Sequence, residues 1–334
     1  MKRIVLLATG GTIASVPAPE GYVPGITGEN LLKSLGDFCA ECTLSARDIL
    51  SLDSSNIQPE EWAFIASQVF DALQDSDGVV ITHGTDTMAY TASMLSFMLR
   101  GLRKPVVLTG SQLPADHPLT DARVNLTSAI LAAMSGVPGV YVVFNRKIIN
   151  GARAVKVRSA GFDAFESINA PLSGTVSTNG VAFNNPQPIT GVPGLANELV
   201  SDVFLLKAIP GTKPELFDAL VEMNYRGIVI EAFGIGGLHF LRRNLLEKLR
   251  MLTDRGIPVV VTSQCLYDFA DLSVYEVGRR FLREGVINGW DITGEAAVTK
   301  LMWALARTES FDDLSKLMLT PLCGEINVGV WQEE

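Results

Sequence analysis

Residues 1–15 read MKRIVLLATGGTIAS. Two basic residues lead into an apolar run, Ile4 to Ala8, that halts at Thr9-Gly10-Gly11. A secretion signal needs a longer apolar core, about 7–15 residues. The run instead fits a first strand buried on both faces, as parallel sheets demand. Apolar β-branched bursts recur along the chain, at Ile4–Leu7, Val79–Ile81, Val106–Leu108 and Val140–Phe144. Amphipathic segments separate them. Trp62 to Leu73 follows Pro59 and two glutamates, an opening suited to a helix N-terminus. Segments of about 87–100 and 121–134 are each closed by a glycine, Gly101 and Gly136. This alternation predicts a mainly parallel sheet with crossover helices. The step Asn150-Gly151 lies between alternating segments and predicts a hairpin turn there.

The rhythm breaks between about Asn184 and Leu195, where Pro, Gly and Asn recur without periodicity, and resumes at Val203. Strands at 203–206, 227–230 and 258–262 alternate with helices near 214–223, 241–254 and 293–308. The expected fold is therefore α/β. A larger N-terminal domain (1–183), with a mainly parallel sheet flanked by helices, is joined by a linker (184–202) to a smaller C-terminal α/β domain (203–334). Two domains also suit a length of 334 residues.

With 27 basic and 36 acidic residues the net charge is −9. That sign disfavours nucleic acid and anionic membranes as partners. No run reaches the eighteen or so apolar residues of a bilayer span, and a cytoplasmic location is expected. Cys39, Cys42, Cys265 and Cys323 are too few for a disulfide framework in a chain of this size. Cys39 and Cys42 form a C-x-x-C, but a second ligand pair is missing and His83, His117 and His239 are scattered. Neither a metal nor a cofactor is expected.

In open α/β sheets ligands bind beyond the carboxyl ends of the strands. The segments there read Thr9-Gly10-Gly11-Thr12-Ile13-Ala14, Thr82-His83-Gly84-Thr85-Asp86-Thr87 and Thr109-Gly110-Ser111-Gln112. All are hydroxyl-and-glycine loops without Lys or Arg, and none matches a phosphate-binding pattern. Hydroxyls beside backbone N–H groups suit acyl transfer, where an oxyanion must be held. A threonine nucleophile then needs a base. His83 and Lys156 are the two candidates, and spacing alone leaves both open to bland readings, a satisfied core histidine and an exposed hairpin lysine. Taken singly, Thr12 and Thr85 also read as turn-capping hydroxyls, and Asp86 as a helix N-cap.

Thr9–Ala14 (TGGTIA) and Ile81–Met88 (ITHGTDTM) together resemble the two signature motifs of the bacterial L-asparaginase family. Met88–Ala92, Gly161–Phe165 and Thr262–Cys265 are similar to its cytoplasmic, type I branch, and the likeness covers most of the chain. The resemblance implies hydrolysis of L-asparagine to L-aspartate and ammonia through a covalent acyl-threonine. It implies Thr12 as nucleophile, Tyr22 as its activator from a mobile lid, and Thr85, Asp86 and Lys156 as a second triad. Asp86 would pair with the substrate's α-ammonium, Ser54 would hold the α-carboxylate, and Ser111 would form pocket wall. Backbone N–H groups near Gly11 and Thr85 are expected to hold the oxyanion. The family implies a homodimer or homotetramer.

Two departures stand out. Some relatives bring an asparagine from a neighbouring subunit in a Gly-x-Gly-Asn context, where this chain has Gly234-Ile235-Gly236-Gly237. Some type I members have an allosteric asparagine site using a threonine before the active-site lysine and a cysteine matching Cys265. Here Val155 replaces that threonine, so activation by substrate is expected to be weak or absent. The rival readings are a glutaminase of mixed specificity, a tRNA-dependent amidotransferase subunit, and a non-catalytic amino-acid sensor. The acidic charge and the lack of an added N-terminal domain weigh against the tRNA version.

Overall fold

A computed structural model describes residues 1–19, 21–36 and 41–328. The chain divides into two compact units, Met1–Asn197 and Glu198–Glu334. Cys39 of the C-x-x-C lies outside the described residues. Among the described residues no group of three or more His, Cys, Asp and Glu side chains is placed to hold a metal ion, and no helix is long and apolar enough to cross a membrane.

The first unit begins with β1 (Lys2–Gly10), then a short hairpin of β2 (Ser15–Ala18) and β3 (Gly21–Pro24), and α1 (Gly28–Lys33). It continues through β4 (Cys42–Leu52), α2 (Pro59–Asp75), β5 (Gly78–Thr82), α3 (Met88–Met98), β6 (Pro105–Thr109), α4 (Ala122–Met134) and β7 (Gly139–Phe144). The strands β8 (Lys147–Asn150), β9 (Ala154–Lys156), β10 (Phe165–Ser167), β11 (Gly174–Ser177) and β12 (Gly180–Phe183) complete it. Eight strands form one sheet in the order β12-β11-β8-β7-β6-β5-β1-β4. From β7 to β4 every pairing is parallel, whereas β8, β11 and β12 extend the edge antiparallel.

Each interior strand is apolar along its length because helices cover both faces. α4 and Leu31 of α1 bury Ile4, Leu6, Val80, Val107, Tyr141 and Val143, while α2 and α3 contact each other and strands of the sheet. α2 starts with Pro59 at its head and a Gln58–Glu61 capping box, and it buries Trp62, Ile65, Ala66, Val69, Ala72 and Leu73 at helical spacing.

The parallel strands β4-β1-β5-β6-β7 follow the 2-1-3-4-5 winding of doubly wound sheets. After β1 the chain moves to one side for β4 and returns to the other for β5. The crevice at such a reversal is where ligands bind. The loops that open from β1 and β5 are the two glycine–threonine segments of the signature motifs.

The hairpin between β7 and β8 turns at Asn145-Arg146, not at Asn150-Gly151. Both residues have positive φ (48° and 62°), as a two-residue type I′ turn requires. Asn150 closes β8, and its side chain accepts from the Ala152 N–H at 3.0 Å. The segment after β12 runs with the first unit. Gln187 is buried, accepts from the Val140 N–H at 2.7 Å and donates to Asn150 at 2.9 Å.

In the second unit β13 (Val203–Lys207), β14 (Gly227–Ala232), β15 (Val259–Ser263) and β16 (Ile287–Asn288) form a parallel sheet in sequence order. α5 (Glu215–Glu222), α6 (Leu246–Asp254) and α7 (Glu276–Arg283) bury Phe217, Leu249 and Phe281 against it. α8 (Gly294–Leu305) contacts β13, β14, β15 and α9 (Phe311–Leu319).

Candidate active site

At the end of β1 the backbone turns through Gly10 and Gly11, and Thr12–Ala14 form one short 3₁₀ turn. Gly11 has φ 77°, and a Cβ there would overlap the backbone of Gly84. Gly84 in turn has no room for a Cβ, which would lie 2.6 Å from Ser54 Oγ. The two glycines let the loops after β1 and β5 interlock with the turn that carries Ser54. Thr12 is half-buried, and its turn is capped by Gly11 without a side-chain bond.

The loop after β5 places Thr85, 5% exposed, beside Asp86, whose side chain is 65% exposed. Lys156, at the end of β9, reaches both. Its Nζ donates to Thr85 Oγ1 at 2.8 Å and to Asp86 Oδ1 at 2.6 Å. Asp86 is therefore not the cap of α3. That position belongs to Thr87, which makes no side-chain cap bond but donates to the Ser54 carbonyl at 2.7 Å. Ser54 is 2% exposed, and its Oγ accepts from the Asp86 N–H at 3.2 Å. The acceptor role leaves the Ser54 hydroxyl proton available to another group.

His83 has a different task. Trp62 Nε1–H donates to Thr91 Oγ1 at 3.0 Å, and the Thr91 hydroxyl donates to His83 Nε2 at 2.9 Å, because the Gly84 carbonyl at the other ring nitrogen can only accept. The other ring nitrogen carries the proton and donates to the Gly84 carbonyl at 2.7 Å. Complete burial pushes the imidazole down to about 4. Both nitrogens are spent on structure, and His83 is no candidate base.

Gly11 is not an oxyanion donor, because its N–H is bonded to the Leu52 carbonyl at 2.9 Å. Among the described residues, the amides of Thr12 and Thr85 make no hydrogen bond within the protein. Both are free to face a ligand. Ser111 is fully buried and donates to the Leu113 carbonyl at 2.5 Å. Tyr22 stands on β3, 61% exposed, and no hydrogen bond joins it to Thr12.

The fold thus brings Thr85, Asp86, Lys156 and Ser54 into one bonded group and sets Thr12 on the adjoining loop. One neighbour went unnoticed in the sequence. Gln112 Oε1 accepts from Thr85 Oγ1 at 3.3 Å. The available signal was a long amide side chain in the third hydroxyl-and-glycine loop.

The carboxylate, the free amides and the hydroxyls suit a small zwitterion bearing a side-chain carbonyl. Comparison with known proteins agrees. The family described as "Asparaginase, N-terminal" matches residues 3–189, and the "Glutaminase/Asparaginase C-terminal domain" matches residues 202–318. An L-asparaginase of Thermococcus kodakarensis is 45% identical over 326 residues, 97% of this chain and 99% of that protein. The structure of the thermostable L-asparaginase from that organism superposes with a TM-score of 0.93 over 97% of this chain and 99% of its own. A probable cytoplasmic L-asparaginase from Campylobacter jejuni is 29% identical, with a TM-score of 0.83 over 96% of this chain and 100% of its own. A glutamyl-tRNA(Gln) amidotransferase polypeptide of Pyrococcus furiosus is 38% identical over 98% of this chain and 77% of its own length.

Proposed function

The chain belongs to the asparaginase family, and from that premise we propose that it hydrolyses L-asparagine to L-aspartate and ammonia through an acyl-enzyme on Thr12. The observation that carries the reading is Lys156 Nζ at 2.8 Å from Thr85 Oγ1 and 2.6 Å from Asp86. In this account Asp86 takes the substrate's α-ammonium, and the Ser54 hydroxyl donates to its α-carboxylate. Thr12 Oγ1 attacks the amide carbon, and the Thr12 and Thr85 amides receive the oxyanion. The Thr12 proton leaves through Tyr22, once the hairpin of β2 and β3 closes over the site. The C–N bond breaks and the nitrogen departs as ammonia after gaining that proton. Water then attacks the ester, giving one proton to Thr85 as Thr85 passes its own to neutral Lys156. The adduct then collapses: its bond to Thr12 Oγ1 breaks, the hydroxyl that came from water gives its remaining proton to that oxygen, aspartate leaves as the carboxylate, and Lys156 releases its proton to solvent. Ser111 supports the wall of the pocket through its bond to Leu113. The chemistry resides in residues 1–183 and calls for no metal or cofactor.

The finer assignments follow the same reading. The similarity to the Campylobacter protein supports a cytoplasmic location, in keeping with the type I branch that the motifs resemble. Exposed Tyr275, Ile209 and Leu241, at 62%, 62% and 87%, support burial against further copies in a homodimer or homotetramer.

Ammonia release from asparagine and glutamine by the wild type and Thr12→Ala tests the proposal. The wild type is expected to prefer asparagine, by a margin consistent with the about 1–3 kcal/mol that one methylene is worth in a pocket. Thr12→Ala is expected to fold normally and lose at least ~10⁴-fold in kcat, as loss of a nucleophile does. Near-normal turnover by that variant removes Thr12 from the role.

A further inference from the structure

The Gln112 side chain has its amide fully assigned by its surroundings. Nε2 lies 3.0 Å from the Ser159 carbonyl and 3.0 Å from the Gly161 carbonyl. Both are acceptors, so the nitrogen faces them and cannot exchange places with the oxygen without losing two hydrogen bonds. Oε1 is thereby fixed toward Thr85 Oγ1 at 3.3 Å. Lys156 has donors and no acceptor when charged, so in its contact with Thr85 the lysine donates. The hydroxyl proton of Thr85 is left with one acceptor on this side, Gln112.

We propose that Gln112 is a positioning residue of the hydrolysis, holding the Thr85 proton away from Lys156 until the lysine is neutral. The inference rests on the amidohydrolase reading above. When Lys156 has lost its proton, its lone pair competes for the Thr85 hydroxyl, which swings from Gln112 to the amine. Thr85 then takes a proton from the attacking water as it gives its own to Lys156. Gln112 touches neither the substrate's carboxylate nor its ammonium in this scheme. Its loss acts on kcat and leaves binding largely intact.

The surroundings allow the side chain to change without carrying the loop with it. The Gln112 N–H is held by both oxygens of Asp121, at 3.0 and 3.1 Å. The segment 158–163 has its own anchors, Arg158 to Glu166 at 2.8 Å and Asp163 to Lys147 at 2.6 Å.

The test compares Gln112→Met, which removes the acceptor, with Gln112→Glu, which keeps an oxygen near Thr85 and adds a charge. Kinetics on asparagine are measured across pH for the wild type, both variants and Thr12→Ala, alongside melting temperatures. Gln112→Met is expected to lower kcat about ten- to a hundredfold, part of the ~10²–10⁴ that general acid–base catalysis supplies, with KM changed less than about threefold. In Gln112→Glu the added carboxylate favours the ammonium form of Lys156, so the rise of kcat with pH moves to higher pH. A structural role alone does not move that profile. An active wild type with Gln112→Met at wild-type kcat, or with the Gln112→Glu profile superimposed on the wild type, overturns the role of Gln112 alone. If Gln112→Met does not fold, the Gln112→Glu profile decides. A wild type that releases no ammonia overturns the underlying reading and this inference with it.

Discussion

In the resting site Asp86 holds the Lys156 ammonium at 2.6 Å, and the proposed substrate brings an ammonium that needs the same carboxylate. Binding therefore takes from Lys156 its ion-pair partner. In the proposed mechanism, substrate entry and lysine activation are coupled through one carboxylate. Lys156→Arg discriminates this role from simple charge pairing, because guanidinium pairs with Asp86 but does not lose its proton near neutral pH. That variant is expected to keep the melting temperature and lose about 10²–10⁴-fold in kcat, measured by ammonia release at saturating asparagine. The sequence motifs pointed to Thr12, Thr85 and Asp86, since hydroxyls and carboxylates in glycine-rich loops advertise their chemistry. The commitment of the Gly11 amide to Leu52 was not legible. It depends on how β1 pairs with β4, whose register shifts between Ala8 and Gly10. The structural role of His83 was equally hidden, because Thr91 and Trp62 reach it across the packing of α2 and α3.

At the scale of elements, the His83–Thr91–Trp62 chain fastens α2 and α3 to the loop that carries Thr85. The folded imidazole titrates near 4, against an ordinary value of 6.5. Between those values the unfolded chain binds a proton that the folded chain refuses, so unfolding is favoured as pH falls. The contribution is intact above about pH 6.5 and declines toward pH 4, by up to roughly 3 kcal/mol for a shift of this size. Denaturant unfolding of the wild type and His83→Gln across this range is expected to show a shallower pH slope in the variant. Parallel slopes would assign the acid sensitivity elsewhere. Interior strands and amphipathic helices were readable because burial imposes apolar runs and helical periodicity. β4 was not, because its exposed and half-buried residues alternate along a sheet edge and never form a continuous apolar burst. The hairpin turn was misplaced for a related reason. Asn-Gly favours positive φ, but Asn145-Arg146 supplied it earlier in the chain, and pairing of Phe144 with Lys147 fixed the turn there.

Across the whole chain, the 2-1-3-4-5 winding of the parallel strands sets the loops of β1 and β5 at the reversal point, which brings together two motifs about seventy residues apart. The second unit winds in sequence order and has no such reversal among its described strands. Regulation is also a property of this scale. Val155 is 5% exposed and has no hydroxyl to offer an effector, so asparagine saturation is expected to be hyperbolic, and clear sigmoidicity would show otherwise. The claim on which the chemistry stands is that Thr12 bears the acyl group. Acid quenching of the wild-type protein during turnover of asparagine, followed by digestion and mass spectrometry, tests it directly. The account predicts an aspartyl increment on the peptide at Thr12, absent from Thr12→Ala. An increment on another residue, or a burst of ammonia with Thr12 unmodified, would contradict it.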